Sequence, residues 1–356
     1  MKDKGITIYT GLGLPLEPGA AFEVVVNELT LALPRLGIRF EAGLEGRVIQ
    51  NSFEVGRIVA WEPGKRIAIE WRQASWEPDV VTEIEFIFEP ADGGTHLRLE
   101  HHKWGALIGA GDEIAGWFAS AIARPFLHAM TPDALGDWIT DRKARRPSGT
   151  QSRAYYGDPL YHHPNFRVIL SELALTPEDY LLEVGFGGGV LLKQALQSGC
   201  RAAGIDHSTD MLQLARELNR DAIREGRLKI FEACADLLPF PDDTFTCAAM
   251  TGVLGFLPNP VGALTEIRRV LIKGGRLVVL GSDPKMRGTP AAPEPMASRL
   301  RFYDDEELGS LAHKAGFTNV SVVHRDLEAF AREAGVPEEI IPLFAGGTSF
   351  LLARKE

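Results

Sequence analysis

Leu181-Leu-Glu-Val-Gly-Phe-Gly-Gly-Gly-Val-Leu-Leu192 is the stretch that decides the fold of this chain. A short apolar run, Tyr180 to Val184, delivers a carboxylate, Glu183, and then Gly185, Gly187 and Gly189. Helical spacing starts at once with Val190, Leu191, Ala195 and Leu196. Glycine suits a turn in which a ligand lies against backbone that side chains would otherwise block. The next apolar run ends on Asp206, 21 residues after Gly185, where a second strand offers an acid to ribose hydroxyls. This is the pattern of a nucleotide-type site.

The glycine spacing narrows the ligand. A dinucleotide site uses G-x-G-x-x-G/A, with a small third residue for close helix packing. Counted from Gly185, that third position is Val190, so the pattern fails. The chain has E-x-G-x-G-x-G, which resembles motif I of the class I S-adenosylmethionine-dependent methyltransferases. The resemblance continues through D-x-S-x-x-M at Asp206 to Met211, through Leu238-Pro-Phe, and through Arg269-Val-Leu-x-x-Gly-Gly275. It covers residues 155 to 356. It implies a Rossmann-like α/β fold, a mostly parallel sheet of seven strands with helices on both faces, and S-adenosylmethionine as cofactor.

By the same resemblance, Glu183 anchors the motif and pairs with the ligand's ammonium, while Gly185, Gly187 and Gly189 give backbone access to its tail. Asp206 takes the ribose hydroxyls, with His207 and Met211 beside it; a helix-cap carboxylate is the plainer alternative. The loop Ala233-Cys-Ala-Asp-Leu237 stands where the family reads adenine, but Cys234 falls at the position usually held by an acid. Asp236, the amide of Ala235 and the side chain of Leu237 are the substitutes. Thr251 closes the fourth strand near the reacting sulfonium. No N-P-P-Y/F follows that strand, which argues against methylation of DNA bases or protein amides.

Composition sets wider bounds. The 356 residues are enough for two cores, and 45% apolar with 24% charged residues reads as globular. A net charge of −10 argues against a nucleic-acid footprint. No apolar run of membrane-spanning length occurs, and Met1-Lys-Asp-Lys-Gly lacks a signal peptide's apolar stretch. Three cysteines, Cys200, Cys234 and Cys247, with no C-x-x-C pair, suit reduced thiols. A cytoplasmic protein with a small-molecule partner, and neither nucleic acid nor membrane, is expected.

Asp141 to Arg153 is charged and polar, with Pro and Gly, and residues 144 to 154 read as a linker. Before it, helical spacing over Ala20 to Leu36 gives way to period-2 segments at Phe53 to Trp61, Lys65 to Trp71, Val80 to Glu89 and Thr95 to Lys103. A long helical stretch follows from Asp112 to Ile139. With Trp61-Glu-Pro-Gly-Lys-Arg-Ile-Ala-Ile-Glu-Trp71, this order resembles the START-like (SRPBCC) superfamily, which implies an α+β helix-grip domain over residues 1 to 143. Ile84, Phe86 and Phe88 share one strand face and Leu97 and Leu99 another. They line a pocket or fill a core.

Catalytic residues are less well marked. His162 and His163, in Tyr155-Tyr-Gly-Asp-Pro-Leu-Tyr-His-His-Pro164, are candidates for a general base, since imidazole titrates near neutrality. A loop histidine before a proline is the plainer reading. Strand alternation puts His96 and His102 on one face and His101 on the other, so no metal is assigned. Pro284 to Arg299 reads as a flap or as an ordered excursion. The expected function is transfer of a methyl group to a small, apolar or aromatic acceptor that the first domain binds or delivers. A non-catalytic ligand-binding protein and a cyclase centred on the N-terminal cavity remain as alternatives.

Overall fold

The computed structural model describes residues 8–72, 76–77, 80–102, 136–137 and 139–356. It divides into two units, Met1–Ile139 and Thr140–Glu356. The first begins with β1 (Ile8–Leu14) and α1 (Pro18–Ala32), which has proline in its first turn, where a missing N–H is harmless. Six strands follow: β2 (Ile38–Phe40), β3 (Arg47–Gln50), β4 (Phe53–Glu62), β5 (Arg66–Trp71), β6 (Thr82–Ala91) and β7 (Gly94–His102). They form one antiparallel sheet in the order β1-β7-β6-β5-β4-β3-β2. The period-2 segments account for β4 to β7. The other three are short or broken by glycine and leave little alternation to read.

Ile84, Phe86 and Phe88 of β6 and Leu97 and Leu99 of β7 are buried with Phe22, Val25 and Leu29 of α1. Phe22 packs on Phe88 and edge-on to Trp61, each at 5.2 Å between ring centres. Among the described residues these side chains fill a core, each worth roughly 1.5–3 kcal/mol relative to exposure. The helix expected over Asp112 to Ile139 lies outside the described residues, apart from helical positions 136–137 and 139–140.

The second unit opens with a correction. Residues 144 to 154, read as a linker, are folded: a π-turn spans Asp141–Arg145 and α2 spans Gly149–Gly157. The Gly149 amide donates to the Asp210 carboxylate at 2.7 Å, Ser208 Oγ donates to the Pro147 carbonyl, and Arg153 pairs with Glu217 at 2.8 Å. The segment is polar because it docks by hydrogen bonds, and that composition imitates a linker. A 3-10 turn (Leu160–His162) leads into α3 (His163–Leu173).

The α/β pattern then runs through β8 (Tyr180–Val184), α4 (Val190–Ala195), β9 (Arg201–Asp206), α5 (Thr209–Leu218), α6 (Arg220–Arg224) and β10 (Leu228–Glu232). It continues with β11 (Phe245–Met250), α7 (Pro260–Val270), β12 (Leu271–Leu280), α8 (Asp305–Lys314), β13 (Asn319–Arg325), α9 (Glu328–Ala334) and β14 (Thr348–Arg354). The sheet order is β10-β9-β8-β11-β12-β14-β13, with β14 antiparallel to both neighbours. Leu181, Leu182 and Val184 are fully buried, so β8 is covered on both faces, as a central parallel strand must be. Strand order reverses between β8 and β11. That switch point opens a crevice at the strands' carboxyl ends.

Candidate functional site

The crevice is built from the ends of β8, β9, β11 and β12. After Val184, the amides of Gly185 and Phe186 both donate to the Ile205 carbonyl, at 2.8 and 3.3 Å, which ties the glycine loop to β9. Gly185 has φ 75° and Gly187 φ 52°. A Cβ on Gly185 would stand 2.2 Å from Val253 Cγ2, and one on Gly187 would stand 2.9 Å from the Tyr156 ring. The glycines therefore admit close protein neighbours. Ligand access alone is not what excludes side chains from this turn.

Glu183 and Asp206 sit side by side in this wall, 2% and 9% exposed. Asp206 accepts from the Gly187 amide at 2.9 Å through one oxygen and from the Ser208 amide at 2.8 Å through the other. It thus bridges the glycine loop and the start of α5, where Ser208 caps the helix through the Met211 amide. Glu183 Oε2 is buried with no partner among the described residues. Burial holds the Glu183 carboxyl well above the usual carboxylate range, the Asp206 charge adds to the rise, and the Leu192 amide opposes it. Burial raises Asp206 as well, against the pull of its amide donors. Two desolvated acids with a vacant acceptor suit a cation, and the ammonium and ribose of S-adenosylmethionine fit this donor set.

The remaining predicted residues are less uniform. The His207 ring hydrogen-bonds the Arg145 carbonyl, and Met211 is fully buried. In the loop after β10, Cys234 and Asp236 are exposed, Ala235 is 8% exposed and Leu237 is 76% exposed. The Ala233 amide donates to the Asp206 carbonyl at 3.1 Å, which holds this loop beside the acid.

On the far side of the crevice, the structure separates the two histidines. Gln194 donates to His163 Nδ1 at 3.3 Å, and the opposite ring nitrogen donates to the Asp158 carboxylate at 2.7 Å. Both nitrogens are engaged. His162 stacks on Phe166 at 6.0 Å, and its Nδ1 is buried without a partner among the described residues. Its Cε1 would lie 3.7 Å from a Cβ on Gly252, the second residue after β11. Burial, and then neighbouring His163, bring the His162 pKa down to about 4, so the ring is neutral near pH 7. Thr251 Oγ1 and the Tyr303 hydroxyl are likewise buried and unpartnered among the described residues.

Sequence reading missed Tyr156 and Tyr303. The first lies in the quoted segment before α3, and the second stands one residue before the Asp304 cap of α8. A tyrosine leading into the helix after the fifth parallel strand was the available signal. The reading also missed Glu83, Glu85 and His102 on the first sheet, whose ligand-type atoms lie within 4.8 Å of one another. Internal pairing explains that group: Glu83 with His102 at 2.8 Å and Glu85 with Arg66 at 2.7 Å. Pro284 to Arg299 carries two 3-10 turns, Pro284–Met286 and Ala297–Arg299.

Known proteins match both units. A family model described as a methyltransferase domain matches residues 182–279, and one described as activator of Hsp90 ATPase homolog 1-like protein matches residues 22–121. The demethylmenaquinone methyltransferase of Tropheryma whipplei is 30% identical over 183 residues, spanning 44% of this chain and 73% of that one. An uncharacterized Mycobacterium tuberculosis protein is 33% identical over 205 residues, 53% of this chain and 64% of its own length. A solved geranyl diphosphate C-methyltransferase from Streptomyces coelicolor is 14% identical with a TM-score of 0.45, covering 60% of this chain and 87% of that one. The chain belongs to the S-adenosylmethionine-dependent methyltransferases, with a START-like domain of the Hsp90-activator-homologue type ahead of the catalytic domain and S-adenosylmethionine as its cofactor.

Proposed function

We propose that this enzyme methylates a small, apolar or aromatic acceptor, and that its first unit binds or delivers that acceptor. The observation that carries the cofactor part is the buried, vacant oxygen of Glu183 beside Asp206 at the switch point. Glu183 holds the ammonium, Asp206 the ribose, and Gly185, Gly187 and Gly189 line the tail. His207, Met211 and the loop from Cys234 to Leu237 surround the adenosine, and Thr251 stands beside the reacting centre. The named substrate of the Tropheryma relative, a demethylmenaquinone, supports an apolar ring as acceptor.

When bound, S-adenosylmethionine supplies an electrophilic methyl carbon whose bond to sulfur breaks, the electron pair staying on sulfur, as the bond to the acceptor forms. The chain's own part is positioning in a dry crevice, which is where most of the acceleration of such a displacement arises. His162 is neutral and so able to take the proton that the acceptor releases, but its pKa of about 4 makes it a weaker base than a free imidazole. His163, tied at both nitrogens, orients the segment that carries it.

The test is calorimetric titration of S-adenosylmethionine and S-adenosylhomocysteine into the full chain and into Asp206→Ala. The wild-type protein is expected to bind in the micromolar range and the variant at least about 100-fold more weakly, as loss of a charged hydrogen-bonding group predicts. Asp206→Asn keeps the shape of the wall and guards against misfolding. No binding by wild-type protein overturns the cofactor assignment.

A further inference from the structure

We infer that Tyr303, with Thr251, forms a hydroxyl-recognising wall of the acceptor site, so that the acceptor presents an uncharged, protic oxygen at its reacting end. The inference rests on the cofactor reading above. Its starting point is two buried hydroxyls, Thr251 Oγ1 and Tyr303 Oη, with no partner among the described residues. An unpaired buried hydroxyl costs about 1–3 kcal/mol, and native proteins rarely leave one without a use. Two at one rim of one sheet call for a ligand.

Backbone hydrogen bonds place Tyr303 at that rim. Its amide donates to the Ser282 carbonyl at 2.8 Å, just beyond β12, and the Arg301 amide donates to the Gly255 carbonyl at 2.9 Å, in the loop after β11. The Asp304–Glu307 capping box then fixes the residue that follows. Tyr303 packs against the same apolar cluster as Val253, the residue that fills the space beside Gly185. Tyr303 therefore stands at the rim beside the ends of β11 and β12, away from Asp206 at the end of β9.

The chemistry of the wall names the acceptor's class. A hydroxyl both donates and accepts, so it matches a neutral O–H better than an ion. The nearby guanidinium groups are engaged elsewhere: Arg301 donates to the Pro258 carbonyl at 3.0 Å, and Arg287 lies 4.5 Å over the Phe302 ring. His162 is neutral. A phenolic or enolic acceptor fits this wall, whereas a carboxylate or amine would bring an unpaired charge to it.

The experiment uses phenol and toluene, near-isosteres that differ in one hydroxyl, followed by ligand-observed NMR on the full chain saturated with S-adenosylhomocysteine. Wild-type protein is expected to prefer phenol by about tenfold, as one satisfied buried hydroxyl predicts. Tyr303→Phe and Thr251→Val should each reduce the preference, with Tyr303→Phe bringing the two within about twofold. In Tyr303→Phe, S-adenosylhomocysteine affinity should be unchanged and the melting temperature equal or higher, because an unpaired hydroxyl has been removed. Equal binding of the two probes, no binding of either, an undiminished preference in Tyr303→Phe, or a lowered melting temperature overturns the inference. Failure of S-adenosylhomocysteine itself to bind would instead strike the cofactor reading on which the inference stands.

Discussion

The chain carries two seven-stranded sheets that bury their polar groups to opposite ends. In the antiparallel sheet, neighbouring strands alternate in direction, so polar partners meet across adjacent strands. His101 on β7 is fully buried and hydrogen-bonds Thr82 Oγ1 on β6 at 2.7 Å. In the mostly parallel sheet, one rim gathers residues as distant in sequence as Glu183, Asp206, Thr251 and Tyr303. There, side-chain atoms of Glu183, Thr251, Tyr303 and His162 stay unpartnered among the described residues. His101 helps hold the first sheet together, whereas the groups left unpartnered at this rim of the second are free for a ligand.

Glycine substitution should separate the sheets most sharply. A Cβ on Gly188 would stand 1.9 Å from the Tyr156 carbonyl oxygen, a backbone atom that cannot swing away. Gly188→Ala should destabilise the second unit by about 3 kcal/mol or more, since overpacking of 1–3 kcal/mol assumes side chains that can give. Chemical denaturation followed by far-ultraviolet circular dichroism checks this, since all six tryptophans lie in the first unit, and an unshifted curve would show that the loop opens freely.

His101, fully buried, and His162, half-buried with its Nδ1 enclosed, should differ next. Burial brings both to a pKa of about 4, from an ordinary 6.5. The unfolded chain therefore binds more protons between those values, and each histidine withdraws stability as pH falls from about 6.5 through about 4. At pH 7, His101→Phe should lose about 1–2 kcal/mol with the Thr82 bond. His162→Phe should be neutral or slightly stabilising, because it deletes an unpartnered nitrogen, yet should reduce cofactor-dependent turnover. Each variant should flatten the acid limb of its own unit in thermal scans at stepped pH. Equal losses at pH 7 would erase the contrast between the sheets.

Glu183 gives the same contrast with the opposite pH sign. Its raised folded pKa means that the native state binds the extra proton, so stability falls as pH rises above the ordinary carboxyl value of 4.5. Glu183→Gln should lift the melting temperature at pH 8 by about 2–4 °C, as 1 kcal/mol does in a domain of this size, and leave it unchanged at pH 4. The same variant should bind S-adenosylmethionine more weakly, and tighter binding would argue that the acid faces no cation.

The sequence revealed most where burial is two-sided and signals are local. Tyr180–Val184 and the end of the next strand at Asp206 were legible, because a short apolar run closed by Gly or Asp has few other meanings. β12 begins at Leu271, a start hidden in the sequence because Gly274 sits inside the strand at φ 79°, where it looks like a turn. Glu183, the glycines and Asp206 were legible as one motif. Tyr156 and Tyr303 were not, because their roles come from contacts across the fold. The false linker failed for the same reason.

The smallest expected effect lies in the first sheet. Gly13 is on β1, paired with His96 of β7, and a Cβ there meets nothing within 4 Å. Its φ is not in the left-handed region, so alanine adopts the same backbone. Gly13→Ala should change stability by no more than about 0.5–1 kcal/mol, in the stabilising direction, by narrowing the unfolded ensemble. The contrast with Gly188 then rests on what surrounds each residue, since both substitutions add the same methyl group. A destabilisation of Gly13→Ala comparable to that of Gly188→Ala would mean that the edge of the antiparallel sheet is as tightly constrained as the glycine loop after β8.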